Sequence, residues 1–159
     1  MHPLKVDTWD VNPGKGSVIP ETKKLTTLGN WCDWSPAWRA FSGRATYRTS
    51  VSATPGKKVM INLGDVRHSA RIVWNGREIS TLISAPFILT IAGSNVKSTN
   101  VLEVEVANLM LNGLIGCEKS GKKWQKFFFV GIDYKPFTAT SHTELPSGLI
   151  GPVVVTQEI

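Results

Sequence analysis

Two groups of side chains have the types and spacing to do chemistry. Trp31, Trp34 and Trp38 fall within eight residues, with Asp33 and Arg39 among them. Aromatic faces stack on the apolar face of a pyranose ring, while charged and amide groups beside them hydrogen-bond its hydroxyls. The group is therefore a candidate sugar site, with Trp34 and Trp38 as stacking platforms and Asp33 and Arg39 as orienting groups. The competing expectation is that these indoles plug the edge of a core, since large aromatics are mostly buried. In the second group, Lys119, Lys122, Lys123 and Lys126 surround Trp124. Point charges around an indole could grip an anionic chain, which adds Lys122, Lys123 and Trp124 to the candidate ligand contacts and acidic glycans to the candidate ligands. Lysines on a loop or edge strand also keep a protein soluble without binding anything. Arg67 and His68, just after Gly64 and Asp65, could reach a ligand from a loop, although surface decoration is the plainer expectation.

Other chemistry finds little support. His2, His68 and His142 show no HxH or HExxH spacing, so no metal ligand set is assigned. There is no GxSxG elbow, phosphate-binding glycine loop or dinucleotide fingerprint. A glycosidase needs two carboxyl groups flanking a sugar, and none of the 12 acidic residues is marked for that role. Glu103 and Glu105 share one strand face and read as a solvated pair. No catalytic residue is assigned, and catalysis by this chain alone is not expected. Cys32 and Cys117 are too far apart for a CxxC motif, which leaves a disulfide or two inert thiols, with the disulfide favoured.

The elements that must position these groups are short and β-like. Val59, Ile61 and Leu63 alternate with Met60 and Asn62, and Ala70, Ile72 and Trp74 with Arg71, Val73 and Asn75. Asn75 and Gly76 then supply the positive φ angles of a type I′ hairpin turn, leading into a strand over 77–83. Leu102, Val104 and Val106 alternate with Glu103 and Glu105. Runs over 43–51 and 151–157, and a denser apolar run over 127–132 that reads as covered on both sides, bring the expected strands to seven or eight. Gly, Pro and Asp punctuate them at 55–56, 64–65, 86, 93–94, 121 and 146–148. No helical apolar stripe of useful length is visible. The pattern predicts an all-β, antiparallel β-sandwich of jelly-roll type. Residues 1–40, richer in Pro, Gly and Trp, are expected to wrap its edge.

With 159 residues, 42% hydrophobic and 19% charged, the chain fits one domain over 1–159. Its 18 basic and 12 acidic residues give a net charge of +6, which favours anionic partners. No recognised RNA-binding signature accompanies that charge, so nucleic acid ranks behind glycans. No 18-residue apolar stretch and no leader-like start are present, so no membrane partner is expected, and any export signal would lie outside the chain.

The runs 41–47 (Phe-Ser-Gly-Arg-Ala-Thr-Tyr), 61–66 (Ile-Asn-Leu-Gly-Asp-Val) and 70–76, ending in Val-Trp-Asn-Gly, resemble the galactose-binding-like jelly-roll domains of glycoside hydrolases. So do 100–108, 112–116 (Asn-Gly-Leu-Ile-Gly) and 145–153 (Leu-Pro-Ser-Gly-Leu-Ile-Gly-Pro-Val), in the same order. The resemblance is strongest to family 2 enzymes and to the large rhamnosidases of family 106, and covers roughly residues 25–155. It implies a non-catalytic module that accompanies the catalytic domain of a parent enzyme acting on plant or algal polysaccharide, in an extracellular or periplasmic setting. The module would bind a polysaccharide or oligosaccharide, or serve only as an ancillary domain packed beside its catalytic partner. The shared motifs are mainly turn and core residues, so Asn75, Gly76, Ser147 and Gly148 are not ligand contacts. Gly113 stands where the resemblance leads one to expect Arg, and Cys117 where it suggests Asp. Such modules often hold a structural calcium near the chain ends, for which Asp7, Asp10 and Glu158 could supply oxygens.

Overall fold

The alternation read along the chain becomes two packed antiparallel sheets in a computed structural model that describes residues 1–124 and 137–159. The larger sheet has the order β3 (Lys23–Leu25), β2 (Trp9–Gly16), β4 (Gly43–Ser52), β10 (Thr99–Ala107), β7 (Ser69–Trp74), β8 (Arg77–Leu82). The smaller runs β1 (His2–Pro3), β12 (Val154–Gln157), β5 (Val59–Asn62), β9 (Ile88–Ile91). A short pair, β6 (Asp65–Arg67) and β11 (Gly148–Gly151), closes one end. This is the all-β sandwich that the periodicity predicts.

Register shows why the alternation works. Tyr47, Val104 and Ile72 lie in one row across β4, β10 and β7, and Ala45, Val106 and Ala70 in the next, all on the buried face. The opposite face carries the intervening charges: Glu103 meets Arg48 at 3.3 Å, and Glu105 meets Arg71 at 3.2 Å and Arg44 at 3.7 Å. The smaller sheet contributes Val59, Ile61, Leu89, Ile91 and Val155 to the same core. Each fully buried aliphatic of this size contributes about 1.5–3 kcal/mol by leaving water. The turn between β7 and β8 has Asn75 at φ 52° and Gly76 at φ 80°, as a type I′ hairpin requires.

Three expectations are corrected. The first 40 residues do more than wrap an edge, because β2 pairs with β4 from Asp10↔Arg48 onward and buries Trp9 and Val11, while β3 extends the sheet. The alternation at residues 9–12 was masked by Pro13 and Gly14. A helix, α2 (Leu111–Lys119), forms where no helical stripe was expected. Its buried residues are Asn112, Gly113 and Ile115, so it approaches the sandwich through small residues in place of an apolar stripe. A Cβ at Gly116 would lie 2.6 Å from that of Ala40, and one at Gly113 would lie 2.8 Å from that of Ser17. The position where Arg was expected therefore has no room for a side chain in this packing. Finally, Cys32 and Cys117 are both free thiols. Cys32 Sγ donates to Leu145 O at 3.3 Å and Cys117 Sγ to Lys122 O at 3.6 Å, so the two point to different neighbours. The strand expected over 127–132 and the lysine at 126 lie outside the described residues.

Candidate functional site

The tryptophan group is built by two short turns. A 3₁₀ turn at Trp31–Asp33 is capped by the Asn30 side chain, which accepts from Cys32 N at 3.1 Å. The short helix α1 (Pro36–Arg39) starts at Ser35, whose Oγ accepts from Trp38 N at 3.3 Å, with Pro36 in the first turn where its missing N–H costs nothing. These turns drive two of the three indoles inward. Trp31 and Trp38 are fully buried, with ring centroids 5.3 Å apart, and Phe41 lies 5.2 Å from Trp31. The Trp31 Nε1–H donates to the Tyr47 hydroxyl, and Trp38 Nε1–H donates to Glu21 O at 3.0 Å. Trp38 is therefore corrected from a stacking platform to a core residue, since a sugar cannot reach either face. Trp34 is half-buried, edge-on to Trp38 at 5.0 Å. Asp33 and Arg39 are exposed beside it, with Arg39 Nε donating to Cys32 O at 3.0 Å. The spacing 31, 34, 38 is that of one helical face, a sign of burial available in the sequence.

The lysine group lies at the C-terminal end of α2. Trp124 is half-buried, donates from Nε1 to Glu118 Oε1 at 3.1 Å, and meets the Phe137 ring edge-on at 6.1 Å. Glu118 Oε2 also accepts from Thr140 N at 3.0 Å. Lys119 pairs with Glu144 at 2.6 Å, and this bond, with Arg39 as a weaker influence, holds the Glu144 carboxyl below the usual carboxylate range. Lys122 and Lys123 are exposed. The loop at 142–147 thus lies between the two groups that the sequence presents separately.

That loop is fastened by residues whose roles the sequence motifs do not reveal, chiefly Asn112 and Ser147. Asn112, 2% exposed, accepts from Leu145 N and donates to Leu145 O, both at 2.8 Å. Ser147 Oγ accepts from Asn108 at 3.0 Å and from Asn112 at 3.2 Å, Ser147 N donates to Asn30 Oδ1 at 3.0 Å, and Ser147 O accepts from Trp31 N at 3.0 Å. The next residue, Gly148, has φ +99°, and a Cβ there would collide with the Trp31 indole. Ser147 and Gly148, within the shared run 145–153, are therefore part of a fastening of the fold.

The remaining candidates stay apart. Arg67 is held by Asp65 in a two-pronged pair at 2.8 and 3.0 Å, and His68 is half-buried with Nδ1 enclosed and unbonded. Burial, with Arg67 beside it, pushes the His68 pKa down. The calcium set is not assembled: Asp10 lies on β2, 3.9 Å from Lys24, Glu158 follows β12 on the other sheet, and no metal-binding group of three acids, histidines or cysteines exists among the described residues.

A segment of a solved rhamnosidase from Novosphingobium sp. PP1Y superposes on 98% of this chain, with a TM-score of 0.76 and 30% identity. The chain resembles an ancillary β-sandwich of glycoside hydrolases. It spans only 15% of that rhamnosidase, and 15% of a candidate β-glucuronidase of Formosa agariphila to which 93% of it aligns at 30% identity. A family 2 β-galacturonidase from Eisenbergiella tayi shares the fold over 99% of the chain, at 15% identity and TM-score 0.60, with 25% of that enzyme covered. No protein-family model matches the chain. The module thus corresponds to a small part of much longer relatives, as the ordered motifs suggested. No helix among the described residues is long and apolar enough to cross a membrane.

Proposed function

We propose that this chain is a non-catalytic ancillary module of a glycan-degrading glycoside hydrolase, and that it supports its parent enzyme by packing more than by capturing sugar. The observation that carries this reading is the fate of the tryptophans: Trp9, Trp31, Trp38 and Trp74 are all core residues, which removes most of the stacking surface that a sugar module needs. The coverage supports it, since the chain matches a small part of a rhamnosidase and of a β-glucuronidase candidate. The glycan acted on by the parent, rich in deoxy sugar or uronate, and its extracellular or periplasmic setting belong to the same proposal.

Sugar binding is the second reading, favoured by one arrangement: the half-buried Trp34 flanked by exposed Asp33 and Arg39. Two measurements on the chain separate these ideas. Incubation with aryl rhamnosides, glucuronides and galacturonides should give no hydrolysis, and turnover abolished by replacing one carboxylate would refute the non-catalytic assignment. Affinity gels containing pectic and other acidic polysaccharides should not retard the chain. Retardation lost in Trp34→Ala would make sugar capture the main role.

A further inference from the structure

The outward sides of the two sheets differ in charge. On the larger sheet Arg44, Arg48 and Arg71 are set among Glu103, Glu105 and Glu78 in a network of ion pairs. Among the described residues, the strands of the smaller sheet carry no charge on their outward side. On β5, β9 and β12 the positions that alternate with the buried set are Met60, Asn62, Ile88, Thr90, Val154 and Thr156. Register brings them into two rows, Ile88–Asn62–Val154 and Thr90–Met60–Thr156, and the second row runs on to Pro3 of β1. Ile88 and Val154 are 41% and 44% exposed, so the first row ends in a bare aliphatic on each side. The amide between them is turned back on its own backbone, Asn62 Oδ1 accepting from Gly64 N at 2.9 Å. Thr156 Oγ1 is enclosed and has no hydrogen-bond partner among the described residues. A sheet that faces water normally presents polar residues to it. This face offers water little to bind.

Size and position select what covers it. Strands of four residues, at about 3.3 Å per residue and about 4.8 Å between strands, give the face about 200 Å². A complex of free partners needs about 800 Å² on each side, so a second copy of this chain would be held too weakly. The first and last strands, β1 and β12, pair with each other in this sheet, His2 opposite Gln157. Polypeptide joined to either end therefore starts beside the face. Tethering raises the effective concentration of such a neighbour to about millimolar, and contacts between domains of one chain are characteristically small and partly polar. We propose that the outward face of the smaller sheet, centred on Met60 and Asn62, seats the neighbouring domain of the parent glycoside hydrolase, which meets it with an uncharged, partly apolar surface. The proposal rests on the ancillary reading above and names the face through which that role is exerted.

Ile88→Lys and Val154→Lys place a charge at either end of the apolar row, and Thr99→Lys, on the outward side of the larger sheet, is the control. In the free chain all three side chains lie in water, so the chain should sediment as a monomer and each variant should melt within about 2 °C of wild type. The same variants are then made in the Novosphingobium rhamnosidase, with this chain in place of the segment that it matches. The chimera should retain rhamnosidase activity. Ile88→Lys and Val154→Lys should each shorten its half-life of heat inactivation about fivefold or more, against less than about twofold for Thr99→Lys. Equal half-lives for the face variants and the control, or a chimera that is insoluble or inactive with the unaltered chain, overturn this face as the seat and leave the ancillary role standing. A lower melting point in a free face variant shows that its side chain serves the module itself, and also overturns it. A dimer of the free chain that Ile88→Lys dissociates overturns the choice of occupant. Glycosidase turnover by the free chain refutes the ancillary reading instead.

Discussion

Replacing Asn112 by Ala tests the loop fastening directly. In the wild type its side chain makes two 2.8 Å bonds to the backbone of Leu145 and a third, at 3.2 Å, to Ser147 Oγ. Leu145 O keeps other partners, because Cys32 Sγ and Ser147 Oγ also donate to it, at 3.3 and 3.2 Å. Among the described residues Leu145 N has no second acceptor, so the Ala variant leaves that donor unpaired. An orphaned donor costs about 1–2 kcal/mol and the lost donation about 1 kcal/mol, for a total of about 2–3 kcal/mol. For a chain of this length each kcal/mol corresponds to about 2–4 °C, so Tm should fall by about 4–12 °C. Guanidinium unfolding followed by tryptophan fluorescence measures both quantities, and Trp31, held through Ser147 O, should report the change. Asn112→Asp keeps the acceptor for Leu145 N but cannot donate, and should land between wild type and Ala. If Asn112→Ala unfolds within about 0.5 kcal/mol of wild type, the loop is held by its apolar contacts and the reasoning from these bonds is wrong.

Tyr47→Phe removes the oxygen that accepts from both Trp31 Nε1 and Leu149 N, two buried donors, and should cost about 2–4 kcal/mol in the same unfolding assay. Thiol counting should find one fast-reacting cysteine in the native chain, Cys117, and two after unfolding in guanidinium, because Cys32 is buried and burial pushes its thiol pKa up. A native chain with no reactive thiol, and a cross-linked mass, would restore the disulfide. The Glu144 carboxyl, lowered from 4.5 in the folded state by Lys119, contributes stability above that value and loses it as pH falls through the lower folded pKa. Glu144→Gln should therefore flatten the acid limb of the stability profile, by less than about 1 kcal/mol because Lys119 is largely solvated. Gly148→Ala, at φ +99° and against the Trp31 indole, should reduce soluble yield or lower Tm more than any of these.

What was legible in the sequence was whatever depended on period and turn chemistry. The two-residue alternation of 59–63, 70–74 and 102–106 gave strands with the correct inward sets, and Asn75–Gly76 marked the hairpin that forms. What could not be read was packing by absence. The buried side of α2 includes glycine at 113, which leaves no apolar stripe, and its reason for being helical is its fit against Ser17, Ser42 and Ala40. Tryptophan content alone does not distinguish a platform from a core, because both use the same ring; the caps at Asn30 and Ser35 turn Trp31 and Trp38 inward and leave Trp34 half-buried against the core. Asn112 and Ser147 lie in runs recognised by resemblance, but their pairing joins segments 35 residues apart, a relation that no local pattern encodes.

The Ser147 fastening also bears on how the chain reaches this fold. Its partners lie 117 residues away at Asn30, 39 away at Asn108 and 35 away at Asn112. Contacts of such sequence separation must wait until loop-closure entropy has been met by nearer pairings, such as the β7–β8 hairpin. During synthesis the fastening cannot form until residue 147 has left the ribosome. A chain that ends before residue 147 therefore lacks the backbone that accepts from Trp31 N and the glycine that lies against the Trp31 indole.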